Sequence, residues 1–293
     1  MRNFIIFFNG REGTSPLVRL LNNFEQVSII HQVNNAGWEP FDSHNCGPMP
    51  LRSFERCLDI IFNKEPLDFK RLNQIYSRMA KRPLEEFKKD GVVGFKMRFN
   101  APRDNFPFMR VFSPLTRLSR KMTNRLFRRM MFNVLKRNDV VVFLAVRQDV
   151  LKFSLSKYRG GGMGKTGHLQ FKLASGNLDR HEIGTMHVDC TRLEKIISEY
   201  EESHARKRRL MEDLKLAGIQ AHPLCYEDFL ADKQQYFSRA LDFLGLKISM
   251  EEIDTALNKG AYFEKVHSSI IADFVENHEE VEEKFGNRFI SWS

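Results

Sequence analysis

The turn Asn9-Gly10-Arg11-Glu12-Gly13-Thr14-Ser15-Pro16 carries the residue types of an anion cradle. Gly10 and Gly13 let the backbone turn tightly and approach a ligand. Thr14 or Ser15 can cap a following helix, and Pro16 suits its first position. The free N–H groups of such a helix start, with the Arg11 guanidinium and two hydroxyls, suit a phosphate or a sulfate. The turn is not a Walker loop, because GxxxxGK[ST] is absent and no Lys follows Gly13. An ordinary turn that binds nothing is the plain alternative. Glu12 is the odd member. A carboxylate beside an anion is unfavourable unless it turns away or pairs with Arg11.

A second cluster follows the apolar run Val140–Val146. Arg147 stands where that run ends, and open α/β sheets place ligands at the carboxyl ends of their strands. A guanidinium there can hold a phosphate in bidentate fashion. Asp149 is a good cap for the helix that follows. A serine further along that helix, Ser156 or Ser154, can add a hydroxyl. The two lie about 200° apart around a helix, so both cannot serve one anion. The alternative is an Arg147 that merely pairs with Asp149 at the end of the sheet. A third cluster, Tyr226-Glu227-Asp228, closes the run Ala221–Cys225. Leu224 to Asp228 could also be read as a Walker B strand of a nucleotide kinase, but the missing Walker lysine argues against it.

These segments resemble the sulfotransferases that use 3′-phosphoadenosine-5′-phosphosulfate (PAPS). Arg11-x-Gly13-Thr14-Ser15 is similar to their 5′-phosphosulfate loop, Pro-Arg-Ser-Gly-Thr-[Thr/Ser], with Gly10 for the Pro and Glu12 for a small residue. Arg147 with a downstream Ser resembles their 3′-phosphate grip. The commonest family spacing would put that Ser at position 155, which is Leu here. The trehalose and nodulation-factor type enzymes of bacteria use a spacing one longer, which selects Ser156. Lys165-Thr166-Gly167 resembles a segment of the same subgroup. Tyr226-Glu227-Asp228 and the later Leu241-Asp242-Phe243-Leu244-Gly245 resemble a further family segment, in which Tyr226 would line the adenine. Glu227 and Asp228 would tie their turn to neighbouring basic groups. Lys259, in Asn258-Lys259-Gly260, resembles another 3′-phosphate contact, and Lys265 is similar to a C-terminal contact of bacterial members. The resemblance implies a P-loop-like fold, PAPS as the donor and a hydroxyl or amine acceptor on a carbohydrate, lipid or small molecule.

Sulfuryl transfer needs an in-line nucleophile, stabilised oxygens and a base for the acceptor's proton. Lys96, read as lying just past a strand, can neutralise charge on the bridging oxygen. Glu39, in Gly37-Trp38-Glu39-Pro40-Phe41, is the candidate base, and the trehalose enzyme places its Glu in a similar setting. His31 is the alternative. The leaving group is already a good one, so no metal is required. His44 and Cys46 have no second ligand pair to complete a metal site.

The elements that must position these residues follow from periodicity. The runs Phe4–Phe8, Val27–Ile30, Val92–Phe95, Val140–Val146 and Ala221–Cys225 are short, apolar and without strict alternation. Such runs suit parallel strands covered on both faces. Helical patterns separate them at Pro16–Phe24, Leu67–Lys89, Leu115–Lys136, Val150–Tyr158 and Cys190–Ala217. The expected fold is therefore α/β, a doubly wound parallel sheet flanked by helices. A helical excursion is expected near 41–90, and a long polar loop from Arg159 to about Met186.

With 293 residues, 42% of them hydrophobic, the chain can bury a large core as one domain, 1–293. Its four cysteines form no CxxC pair and suit a reducing compartment. The opening apolar run is too short for a signal peptide, and no stretch reaches the roughly 18 apolar residues of a membrane span. A cytoplasmic protein is expected. The net charge of +9 suits an anionic ligand. It also admits a second class, a protein that binds nucleic acid or an anionic surface through the basic stretch Arg117–Arg137. That stretch could instead receive an anionic acceptor, or be a solvated helix face.

Overall fold

The computed structural model describes residues 1–32, 39–41, 51–62, 69–78, 80, 82–86, 91–99, 117–162, 184–259 and 270–292, with the side chains of 117–124 and 161–162 excepted. The described elements run β1 (Phe4–Phe8), α1 (Thr14–Leu21), β2 (Val27–Ile29), α2 (Leu51–Phe62), α3 (Phe69–Ser77), β3 (Val92–Arg98), α4 (Arg117–Arg137) and β4 (Val141–Val146). They continue with α5 (Val150–Gly162), α6 (Cys190–Leu216), β5 (Ala221–Cys225), α7 (Tyr226–Ala231), α8 (Lys233–Phe243), α9 (Met250–Asn258), a 3-10 turn (Ile271–Asp273) and α10 (His278–Phe285).

The five described strands form one sheet in the order β2-β3-β1-β4-β5, and every pairing is parallel. β1 lies centrally, with Phe7 opposite Met97 of β3 on one side and Leu144 of β4 on the other. Side chains of a strand alternate between faces. Phe4, Ile6 and Phe8 enter the layer built with α1, α8 and α9. Ile5 and Phe7 enter the opposite layer, built with α2, α3, α4 and the end of α6. Both faces are covered, which is why Phe4–Phe8 and Val141–Val146 are continuously apolar. Gly94 serves this packing. A Cβ there would run into the Phe4 ring, so a glycine lets Phe4 lie across β3.

A third cluster lies beyond the sheet. Val150, Phe153 and Leu155 of α5 pack with Leu193, Ile197 and Tyr200 of α6, and with Ile271, Val275 and Val281. At about 1.5 Å per residue, α6 is about 40 Å long. It runs from this annex, past the Arg147 turn, into the main core. Asp189 caps its start, accepting from the Thr191 and Arg192 N–H groups. The segment 288–292 straps the annex to the sheet. Ile290 N–H donates to Gln148 O at 3.0 Å, and Arg288 O accepts from Val150 N–H at 3.0 Å.

Four details differ from the sequence expectation. The α1 cap is Gly13, not Thr14 or Ser15, and Pro16 stands third in the helix. β3 extends to Arg98, so Lys96 lies inside the strand. α5 extends to Gly162, so Arg159 and Gly160 are helical rather than part of a loop. The expected Leu67–Lys89 helix is described only as Phe69–Ser77. Helices α2 and α3 fall in the expected helical excursion. Residues 87–90 and most of the expected polar loop lie outside the described residues. Among the described residues, no helix is long and apolar enough to cross a membrane.

Candidate anion-binding site

β1 and β4 are parallel neighbours, so the Gly13 turn and the Arg147 turn leave the sheet at the same end. Gly13 adopts φ 73°, a left-handed conformation that glycine enters without strain. No side chain caps α1, so the first-turn N–H groups lack the capping oxygen that many helices supply. Arg11 is also left-handed, at φ 78°, where a side chain is disfavoured. Its guanidinium lies against α5 at Gly160, where any Cβ would collide with it.

Tyr226, the first residue of α7, joins the two turns. Its ring rests on the Gly13 backbone so closely that a Cβ at Gly13 would overlap it. The Arg147 guanidinium lies 4.9 Å from the centre of the same ring, a cation–π contact. Burial raises the Tyr226 hydroxyl's pKa, while the Arg147 charge pulls it down. Among the described residues, Arg147 Nε is buried and has no hydrogen-bond partner. Asp149 is not its partner. The Asp149 carboxylate accepts from Lys152 N–H at 2.8 Å and meets Lys152 Nζ at 3.3 Å. The alternative of an Arg147–Asp149 pair is thereby corrected. Glu227 accepts from the Gln148 and Asp149 N–H groups at 2.8 and 3.1 Å. It ties the end of β5 to the Arg147 turn through backbone donors, not through the basic groups expected.

Glu12 turns away from the loop mouth. Its side chain is fully buried, and Lys207 Nζ lies 2.6 and 2.7 Å from its two oxygens. The Tyr200 hydroxyl donates to it at 2.9 Å, and Asn9 donates from its backbone and its amide. Glu12 therefore builds the loop from beneath and does not contact a ligand in it. Pairing with Lys207, not Arg11, resolves the problem of a carboxylate beside an anion. Burial lowers the Lys207 pKa, opposed by the charge of Glu12.

Sequence reasoning did not single out the support on α6. Tyr200, Ser203, His204 and Lys207 share one helix face and are all buried. Ser203 Oγ accepts from the Asn9 amide at 2.9 Å. The Tyr200 hydroxyl also accepts from the Arg147 N–H at 3.0 Å. Its pKa is raised well above the ordinary range by burial and by Glu12. Its ring stacks on Phe153. The Trp292 indole donates to His204 Nδ1 at 2.6 Å, which leaves Nε2 to donate to Arg147 O at 3.1 Å. The signal available in the sequence was the spacing of four polar residues on one stripe, which equally describes a solvated face.

Burial, then the nearby Lys207 charge, depresses the His204 pKa from 6.5 to about 4. The unfolded chain therefore binds a proton in this range while the folded one does not. The stabilisation is complete above about pH 6.5 and falls as the pH drops towards 4, by on the order of 3 kcal/mol. Urea denaturation between pH 7 and pH 4.5 should show this loss, and His204→Gln should flatten the slope. An unchanged slope in the variant would contradict the assignment.

The candidate catalytic groups gather beside α1. Lys96 is buried, donates to Ser15 Oγ at 3.3 Å, and pairs with Glu39 at 3.1 Å. Arg98 also approaches Glu39, at 3.7 Å. Burial lowers the Lys96 pKa, and Glu39 opposes that shift. His31 stands apart from them. Its Nδ1 lies 2.9 Å from Ile29 O and its Nε2 2.8 Å from Glu85. Both ring nitrogens are thus engaged away from Lys96 and Ser15. Ser154 is fully buried, with Oγ unpartnered among the described residues, and Ser156 is half-buried. Lys259 is exposed at the end of α9, with no described contact to either turn. Lys265, Lys165, Thr166, Gly167, His44 and Cys46 lie outside the described residues.

No protein-family model and no curated protein sequence matches the chain. Among solved structures, a sulfotransferase of Mycobacterium avium is similar at 13% identity and a TM-score of 0.42, covering 97% of this chain and 75% of its own. One from Alicyclobacillus acidocaldarius shows 14% identity and a TM-score of 0.41, covering 97% and 91%. The sulfotransferase domain of the curacin biosynthetic pathway shows 11% identity and a TM-score of 0.34, covering 100% and 93%.

Proposed function

We propose that this chain is a sulfotransferase that takes its sulfuryl group from PAPS and passes it to a hydroxyl or amine of a small molecule or glycan. One observation carries the reading. The Tyr226 ring spans from Gly13 to an Arg147 guanidinium whose buried Nε has no partner among the described residues. In this reading the two anion-seeking clusters grip one nucleotide between them. The motif resemblance of the Gly13, Arg147 and Tyr226 segments supports the same donor.

In this reading the α1 N–H groups, Arg11, Thr14 and Ser15 hold the 5′-phosphosulfate. Arg147 holds the 3′-phosphate, with Ser156 or Ser154. Tyr226 lines the adenine, and Lys259 and Lys265 supply outer contacts. The donor supplies an electrophilic sulfur on a phosphate leaving group. Lys96 neutralises the oxygen that bridges sulfur and phosphorus. Glu39 takes the acceptor's proton as the new S–O or S–N bond forms and the bridging S–O bond breaks, its oxygen leaving on adenosine 3′,5′-bisphosphate. The reading prefers Glu39 to His31, because Glu39 meets Lys96 while His31 is tied to Ile29 and Glu85.

The basic stretch gives the nucleic-acid alternative less than its sequence suggests. In α4, Arg128 pairs with Asp213, and Arg137 pairs with Glu55 and Asp59. The side chains of Arg117, Arg120 and Lys121 lie outside those described.

Thermal denaturation tests the proposal. Adenosine 3′,5′-bisphosphate at about a hundredfold over its Kd adds about 2.7 kcal/mol. At about 2–4 °C per kcal/mol for a large domain, the melting temperature should rise by about 5–10 °C without magnesium. ATP with magnesium should do little. An equal shift with magnesium–ATP would favour a kinase, and tight RNA or DNA binding without a bisphosphate effect would favour the second class.

A further inference from the structure

The two halves of the site are tied together below the ligand as well as above it. Tyr200 Oη lies 2.9 Å from Glu12 Oε1 and 3.0 Å from the Arg147 N–H. It accepts from the Arg147 turn and donates to the Gly13 turn. Its ring stacks on Phe153 of α5, and its own helix, α6, also sends Lys207 to Glu12 and His204 to Arg147 O. Nothing in the proposed chemistry uses this hydroxyl.

We propose that Tyr200 is a positioning residue. Its hydroxyl sets the separation between the two anion-binding turns, and so decides how much a ligand gains from carrying two phosphates. The inference rests on the site reading given above. A ligand with two anchors binds better than either anchor alone only if the protein holds both receptors at the matching distance. Each turn also has ties of its own, and the Tyr226 ring and Lys207, which reaches both Glu12 and Ala145 O, touch both sides. The Gly13 turn keeps Glu12 on Lys207, and the Arg147 turn keeps Glu227 on the Gln148 and Asp149 N–H groups. Removing one hydroxyl leaves those ties in place but takes away the bridge from Glu12 to the Arg147 N–H itself.

Calorimetric titration of wild type and Tyr200→Phe would use adenosine 5′-monophosphate, adenosine 3′-monophosphate and adenosine 3′,5′-bisphosphate. Each monophosphate should bind the variant within about twofold of wild type. The bisphosphate should bind about tenfold more weakly, because the second phosphate no longer meets its receptor at a preset distance. Equal weakening of all three ligands, or an unchanged bisphosphate affinity, would overturn the proposal. A wild type that gains nothing from the second phosphate would instead overturn the site reading itself. Amide exchange gives a readout that does not depend on the variant. The Arg147 amide, just past the end of β4, should be protected in the wild type, and rapid exchange there would also defeat the proposal.

Discussion

Arg147→Ala should weaken binding of adenosine 3′,5′-bisphosphate by at least about a hundredfold. A guanidinium that grips a phosphate through two charge-assisted hydrogen bonds supplies about 1.5–3 kcal/mol for each. About 1.4 kcal/mol is a tenfold change in affinity. The variant also uncovers the Tyr226 ring, which Arg147 caps at 4.9 Å. Stability should change little, because Nε of the guanidinium has no protein partner among the described residues. Glu39→Gln is the contrasting variant. It keeps the size of the side chain and removes the base, so bisphosphate affinity should stay within about threefold. Turnover, once an acceptor is found, should fall by about a hundredfold or more. Equal loss of binding in both variants would contradict the separation of roles.

Lys207→Met should destabilise the protein by about 3–5 kcal/mol, the usual consequence of leaving one member of a buried ion pair behind. Glu12 is enclosed, and Lys207 supplies the opposite charge at 2.6 Å. Lys207 also donates to Ala145 O, so the variant strands a strand carbonyl as well. Guanidinium denaturation measures the loss. The double variant Glu12→Gln with Lys207→Met should recover much of it, because no unpaired buried charge remains. If the single variant were as stable as wild type, the pair could not be the support described here.

The sheet was legible because its strands are covered on both faces. The continuous apolar run Phe4–Phe8 matches its strand residue for residue, and so does the less apolar, partly buried end strand Ala221–Cys225. Boundaries failed where tertiary pairing extends an element past its apolar core. The apolar run before Lys96 ends at Phe95, yet β1 pairing carries β3 on to Arg98, and Glu39 opposes the burial of the Lys96 ammonium. The anion-seeking residues Gly13, Arg147 and Tyr226 were legible individually, since each follows a strand. Their joining through one ring was not, because it depends on the sheet order. The support on α6 was hidden for another reason. Lys207 and Glu12 are 195 positions apart, and a helix stripe of Tyr, Ser, His and Lys reveals nothing about which face is buried. Glu12 shows the limit best. The sequence offered two escapes for its carboxylate, and the one taken depends on a partner that only the folded chain brings near.

The central place of β1 has a kinetic consequence. Its neighbours are β3 and β4, so Phe4 waits for Gly94 and for Val141, roughly ninety and one hundred and forty residues later. Until they arrive, Phe-Ile-Ile-Phe-Phe has two open edges, the kind of segment that pairs with other chains. Contacts this distant slow folding, and slow folding prolongs the exposure. The strand that delivers the Gly13 turn to the site is therefore also exposed to self-association during synthesis.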